Sequence, residues 1–361
     1  MYFEFQNLNE ATVGLCKEIL RVGRPETRGK NPAGNKCIEF PGCTLIRIVN
    51  PTDRYIRVPE RKWSKTLGWI ESLWLARGEN WLEMPVSYVK NLMNFSDDGV
   101  TMRAGYGPRL RYFGAHNSMY LAKSGQVYRN QYVVRPGYRP DPLATVDQLR
   151  FVVEKFREDL GTREAVITIH DPLADDFTEA NGFQVLLDTK DTPCTRSIHF
   201  MVVDGRMNCY VDIRSNDLIW GFSAVNVFNF TLMQEYIAAI VGVPVGEYFH
   251  KADNLHIYEG SLPMVKAIAA TDIKESPTER FTYTPTYHTL EEFDSLIEAL
   301  SAFERGCRGE IDLPFDDEEA LARIEAIKDP LFQDWARVIY RKWNKKSVKF
   351  INPLLNELFG E

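Results

Sequence analysis

The 361-residue chain is 44% hydrophobic and 12% aromatic, enough apolar side chain to bury a large core in one or two domains and too much for a disordered protein. Its formal net charge of −7 argues against a nucleic-acid-coating protein, because neutralising phosphates takes a surplus of lysine and arginine. No apolar run approaches the ~20 residues of a membrane span, and the opening MYFEFQNLNE lacks the basic start and apolar core of a secretory signal, so the expectation is a cytoplasmic protein with no membrane partner.

In chain order, TVGLCKEILRVG (12–23) has helical spacing ending at a glycine, and KTLGWIESLWLARGE (65–79) predicts a second helix with Trp69, Ile70, Leu73 and Leu75 on a broad apolar side. Residues 124–144 are rich in glycine, proline and tyrosine and read as a surface connection. TVDQLRFVVEKFREDLG (145–161) predicts a helix capped by Thr145 and stopped at Gly161. AVITIHDP (165–172) alternates like a strand, and SIHFMVVDGRMNCYVDIRS (197–215) alternates on both sides of Asp204-Gly205, the mark of a β-hairpin with a tight turn. VNVFNFTLMQEYIAAIVG (225–242) reads as a core helix and EYFHKADNLHIYEG as another strand-like piece. The last 70 or so residues are helical in pattern, opening with a capping box at Thr289 and Glu292, and RKWNKKSVK near the end reads as a solvated basic face.

The six cysteines form no CxxC pair and the six histidines no HxxxH or HExxH spacing, so no metal site is signalled. Cys194, at the entrance to the hairpin, is either a small buried filler or a nucleophile. Arg196 and Arg214 can place positive charge near its sulfur and favour thiolate. Ser215, Asn216 and Asp217 form a polar cluster at a strand end, read either as a site or as a turn with local hydrogen bonds. Asn226 interrupts an apolar run; it either caps the helix or offers the donor and acceptor that match the N3–H and O4 edge of uracil. His256 and Tyr258, two apart on a strand, share a face and could hold a sugar hydroxyl, or simply form a half-buried aromatic surface.

The order Pro193-Cys194, hairpin, Arg214-Ser215-Asn216-Asp217, Asn226 opening a helix, Gly246-Glu247 and His256-Ile257-Tyr258 resembles the core of the thymidylate synthase and pyrimidine nucleotide hydroxymethylase superfamily, with one extra residue between Gly221 and Asn226. Upstream, ETRGKN resembles a loop that supplies a phosphate arginine, WIESLWLARG a helix with an active-site glutamate, GYGPRLR a Tyr-Gly-x-x-x-Arg segment and TREAVITIHDP an arginine strand that crosses to a partner subunit. The likeness covers roughly residues 10–260. It implies an α+β fold, a mixed β-sheet flanked by helices, with a thymidylate synthase-like catalytic domain over 1–262 and a mostly helical extension over 263–361 packed on it.

The resemblance also implies transfer of a one-carbon unit from 5,10-methylenetetrahydrofolate to C5 of a pyrimidine nucleoside monophosphate, without metal. Cys194 would add to C6, Arg214 would hold the phosphate and favour ionised sulfur, and Ser215, Arg28 and Arg163 would complete the phosphate clamp. Asp217 would orient the ring through its backbone, Asn226 would read O4 and N3, His256 and Tyr258 would hold the 3′-hydroxyl, and Glu71 would organise proton transfer at O4. Arg163 would serve the neighbouring subunit, which implies a homodimer with shared sites. Thr195 directly after Cys194, where synthases carry histidine, and the Arg-Ser-Asn-Asp and Leu-His-Ile-Tyr wording resemble the hydroxymethylases, so dUMP hydroxymethylation is the first expectation. Thymidylate synthase follows, then a dCMP or CMP hydroxymethylase; a catalytically silent nucleotide- or RNA-binding regulator is the reading from another class.

Overall fold

A computed structural model of the chain describes residues 1–29, 35–117, 119–122, 125–273, 280–310 and 315–360. Lys30 and Asn31 of ETRGKN, and Ser124 at the head of the predicted connection, lie outside them. The chain is α+β, about 43% helical and 21% strand, and divides into two compact units, Met1–Trp69 with Met201–Glu361, and Ile70–Phe200.

In the first unit the strands Tyr2–Phe5, Thr44–Ile48, Val245–Ala252 and Arg206–Ile213 lie side by side in that order. Successive pairs are parallel, antiparallel and parallel, which makes the sheet mixed. Along Val245–Ala252 every second residue is buried, because neighbouring side chains in a strand point to opposite faces. The predicted turn is present: Asp204 at φ 51° and Gly205 at φ 71° both adopt left-handed backbone, as a two-residue hairpin turn demands.

The helix Val227–Val241 packs on two of these strands and ends, as predicted, at Gly242 with φ 80°. All but two of its fifteen residues are buried. It continues the helical segment Leu218–Asn226, and the combined run of 24 residues is long and apolar enough to cross a membrane. The sequence reading misses this because it starts the helix at 225. The most apolar window of that run is 72% buried within the protein, the habit of a core helix. Phe228 is an aromatic hub, with ring centroids of Trp69, Trp63 and Tyr55 at 5.3, 6.0 and 6.1 Å. Gly68 lies so close to it that an added Cβ would meet the Phe228 ring at 2.6 Å.

The C-terminal helices belong to this same unit. The Leu290–Arg308 helix begins with the predicted capping box, Thr289 with Glu292. Its Phe293 stacks on Tyr236 of the central helix at 4.3 Å. From the Pro330–Asn344 helix, Trp335 lies 5.5 Å from Trp69 and donates its indole N–H to the Trp69 carbonyl at 2.9 Å. Asp334, fully buried, accepts hydrogen bonds from Tyr283 Oη at 2.9 Å and from the backbone of Ile351 and Asn352 at 2.8 Å each. The basic RKWNKKSVK stretch is less purely solvated than expected, since Arg341 lies over the Phe359 ring at 5.1 Å and Lys346 pairs with Asp317.

In the second unit the predicted helix appears as Gln148–Glu158 and buries Leu149, Val152, Val153 and Phe156. Its cap is Asp147, which accepts from Arg150 N at 3.1 Å, rather than Thr145, whose hydroxyl is spent on the Asp141 carbonyl at 3.1 Å. It ends at Asp159, before Gly161. The stretch after residue 124 is more than a surface connection. Gln131, Tyr132 and Val134 are buried, and Tyr132 Oη donates to Asp171 at 2.6 Å. Val166–Thr168 pairs antiparallel with residues 197–199 of the Thr195–Val203 strand.

Trp335→Ala removes a fully buried indole and its hydrogen bond, and should destabilise the chain by about 3–5 kcal/mol in urea unfolding. A wild-type midpoint in that variant would mean the C-terminal helices unfold apart from the core.

Candidate active site

Cys194, Glu71 and Arg163 lie in the second unit, and Arg28, Arg214, Ser215, Asp217, Asn226, His256 and Tyr258 in the first. Cys194 is half-buried on the loop that enters the Thr195–Val203 strand. That loop is pinned on both sides of the cysteine. Before it, Asp191 accepts from Ala104 N at 2.9 Å, Thr189 Oγ1 donates to Asp97 at 2.5 Å, and Lys190 N donates to Asp97 at 3.0 Å. After it, Thr195 N donates to Tyr106 Oη at 3.2 Å. Burial, reinforced by the nearby Cys194 sulfur, pushes the Tyr106 phenol up to about 12. Tyr106 belongs to the GYGPRLR segment, so that resemblance and the Pro-Cys resemblance converge on one place. Glu71 is half-buried on the Leu67–Ala76 helix. Arg163 is exposed in the turn before Val166–Thr168, and among the described residues it has no carboxylate partner.

In the first unit a second sheet, in the order Asn216–Asp217, Leu255–Tyr258, Asn35–Glu39 and Arg24–Arg28, carries Arg28, Asp217, His256 and Tyr258 of the predicted site. Asp217 pairs in register with His256, and His256 with Glu39. His256 is buried and Tyr258 is 40% exposed, yet their ring centroids are 5.1 Å apart, edge to face. Asp217 is also a cap: one carboxylate oxygen accepts from Ile219 N at 2.7 Å and from Trp220 N, while burial pushes the carboxyl up. Ser215 Oγ donates to Asn254 at 3.3 Å, and Arg214 is exposed.

Arg28 departs from expectation, and for Asn226 one of its two readings falls away. Arg28 binds Glu39 through two parallel hydrogen bonds of 2.9 and 2.8 Å, so in this structure its guanidinium is committed to a carboxylate. That pairing holds Glu39 below the usual carboxylate range. Asn226 does not cap the helix it opens; its backbone is helical, with φ −62° and ψ −51°, and its side chain makes no capping bond. The reason lies in Leu218–Asn226, which is wound as a π-helix. A π-helical hydrogen bond spans one residue more than an α-helical one, and this is the stretch where the family resemblance places one extra residue. Asn226 is therefore inside a continuous helix, half-buried, with its amide bound to no protein group among the described residues.

Sequence reasoning does not single out Asp191 or Glu39. Asp191 begins the DTPCTRS heptapeptide, and an acid so near a Pro-Cys pair was the available signal. Glu39 shares a strand face with Cys37, but its partner Arg28 could be found only from the pairing of their strands. Among the described residues no group of three or more His, Cys, Asp or Glu is placed to hold a metal ion.

The thymidylate synthase family profile matches residues 13–303, and the chain belongs to the thymidylate synthase family. The match runs past residue 260 into the Leu290–Arg308 helix. Among curated proteins, the chain is 34% identical over 214 residues, 59% of its length and 49% of the relative's, to the deoxyuridylate hydroxymethyltransferase of Bacillus phage SP01. It is 29% identical over 239 residues, 66% of its length and 56% of the relative's, to the deoxyuridylate hydroxymethyltransferase of Pseudomonas phage M6. With the thymidylate synthase of Staphylococcus haemolyticus it shares 26% identity over 132 residues, 37% of this chain and 38% of the relative. The chain spans about half the length of the hydroxymethyltransferases it matches.

Burial pushes the Asp191 carboxyl up to about 6, against the opposing hydrogen bond from Ala104 N. Its folded value lies above the roughly 3.9 of an unfolded chain, so its contribution to stability is full below that value and lost as pH rises through 6. Asp191→Asn should therefore flatten the fall in the urea midpoint between about pH 5 and 7 relative to wild type. Parallel pH profiles for the two proteins would show that Asp191 does not titrate in this window.

Proposed function

We propose that the chain is a folate-dependent one-carbon transferase that hydroxymethylates dUMP at C5. The observation that carries the reading is the Cys194 loop, in which the cysteine sits between the Asp191 and Thr195 anchors beside the buried Tyr106 phenol. The names of the phage relatives support deoxyuridylate as substrate and hydroxymethyl as product.

C5 of uracil is a weak nucleophile until a thiolate adds at C6 and turns C5 into an enolate carbon. Cys194 supplies that thiolate and leaves again when the product forms. Bound methylenetetrahydrofolate supplies a carbon at the formaldehyde oxidation level, and water supplies the hydroxyl oxygen. Trp220, 69% exposed and three residues past Asp217, offers a flat apolar face that fits a pterin ring. Asn226, its amide bound to no protein group among the described residues, reads O4 and N3–H of the base; His256 and Tyr258 hold the sugar hydroxyl. Arg214 and Ser215 hold the phosphate, and Arg28 joins them by exchanging Glu39 for the phosphate. Glu71 manages proton transfer at O4. Arg163, exposed and with no carboxylate partner among the described residues, serves the phosphate of a second copy, so the active form is a homodimer, working in the cytoplasm.

Purified protein incubated with methylenetetrahydrofolate and each of dUMP, dCMP, UMP and CMP should convert dUMP to a product heavier by one CH2O, with tetrahydrofolate released. Appearance of dTMP together with dihydrofolate would overturn the hydroxymethyl assignment. Cys194→Ala should lower turnover by roughly 10⁴-fold or more while dUMP still binds. Asn226→Asp should shift the dUMP-to-dCMP preference by about tenfold or more toward dCMP, and an unchanged ratio would remove Asn226 from base reading.

A further inference from the structure

In the first unit a cavity of about 350 Å3 opens beside the C-terminal end of the Val227–Val241 helix. Its walls also include the start of the Val245–Ala252 strand and residues of the segment 280–288. None of its lining residues is assigned above to the nucleophile or to the pyrimidine nucleotide. Pro244, Pro285 and Tyr283 give it apolar walls, and Arg206, Arg280 and His288 give it positive or ionisable groups.

Both arginines are held by backbone carbonyls. Arg206 donates to the Val245 carbonyl at 3.3 Å and Arg280 to the Val49 carbonyl at 2.6 Å, which among the described residues leaves most of the five N–H donors of each guanidinium unspent. Among the described residues neither forms an ion pair. The nearby carboxylates are engaged elsewhere: Glu235, which also lines the cavity, pairs with Arg54 at 2.5 Å, and Glu247 with Arg47 at 2.9 Å. Burial, and then the charge of Arg206, hold Arg280 below its ordinary value against the opposing charge of Glu247. Both arginines line the cavity and are exposed, so an anion entering it can take charge-assisted hydrogen bonds from them. The size is at the lower end of ligand pockets and well above what an inorganic phosphate fills. The apolar walls call for a ligand with a planar apolar part.

We propose that this cavity binds a nucleoside triphosphate, with its phosphates on Arg206 and Arg280 and its base against the tyrosine and proline wall. The segment 280–288 then has a binding role of its own, independent of the reaction proposed above.

The test uses the full chain, equilibrium dialysis, and two probes, dTTP and inorganic tripolyphosphate. Wild type should bind dTTP about tenfold or more tighter than tripolyphosphate, since the base adds contacts the polyanion lacks. R206Q/R280Q, both at the cavity wall, should weaken dTTP by about tenfold or more, whereas R214A should leave it unchanged. On wild type, saturating dUMP should leave dTTP binding intact, a measurement that does not depend on any variant folding. Unchanged dTTP affinity in R206Q/R280Q, its loss in R214A, or displacement of dTTP by dUMP would each overturn the site. Equal affinity for the two probes would overturn the nucleoside part. A protein that binds dTTP in this pattern but does not act on dUMP would leave this inference standing and remove the reaction.

Discussion

A helix with water on almost none of its sides must satisfy its polar groups from within the protein, and Val227–Val241 buries Asn229, Thr231, Gln234 and Glu235. Thr231 turns its hydroxyl back to the Val227 carbonyl at 2.7 Å. Gln234 donates to the carbonyls of Met207 and Glu247, at 2.7 and 3.1 Å, on two neighbouring strands of the mixed sheet. Glu235 takes a charge-assisted bond of 2.5 Å from Arg54, which also donates to Thr231 Oγ1 at 3.0 Å. A slip of one residue would break all of these and leave an arginine and a carboxylate buried without partners, a loss of several kcal/mol. Helix and sheet are therefore locked in register, and the lock also fixes where the helix begins.

That beginning is where structure meets site. Asp217 anchors the π-helical segment by accepting two backbone N–H groups, and Asn226 ends it. Between these ends, Gly221 passes so close to Asn216 that a Cβ would meet its amide nitrogen at 2.6 Å. Between these held ends the winding is i→i+5 rather than i→i+4. The Val227 N–H accordingly reaches the Phe222 carbonyl, five residues back. Asn226 therefore makes no capping bond, and its amide is bound to no protein group among the described residues.

What the sequence revealed follows the range of the interactions concerned. The hairpin turn, the Thr289–Glu292 capping box and the stop at Gly242 rest on residues within a few positions of one another, and each is where its pattern puts it. The Pro-Cys, Arg-Ser-Asn-Asp and His-Ile-Tyr motifs were legible as a set because their order along the chain is itself a signal. The commitment of Arg28 to Glu39 was not, since the two residues meet only through the pairing of their strands. Nor was the burial of Tyr132 and Val134 in a stretch rich in glycine and proline, because it depends on Asn80, more than fifty positions away, binding both backbones. Thr145 against Asp147 was a choice between two good caps, decided by where the preceding turn spends the threonine hydroxyl.

The Cys194 loop shows why a phenol, rather than a carboxylate, stands beside the cysteine. Asp191, close by in sequence, illustrates the alternative: burial raises its carboxyl to about 6, so its charge changes within the range where proteins work. Tyr106 in a comparable environment is raised to about 12 and stays protonated throughout that range. Its oxygen accepts the Thr195 N–H, and a protonated phenol can accept and donate at once. Because the Cys194 sulfur is among the causes that raise the phenol, a negative charge developing there tightens the hold of Tyr106 on its proton. The anchor of the loop thus keeps its hydrogen-bonding character whichever charge the sulfur carries, a property an ionisable carboxylate in the same place would lack.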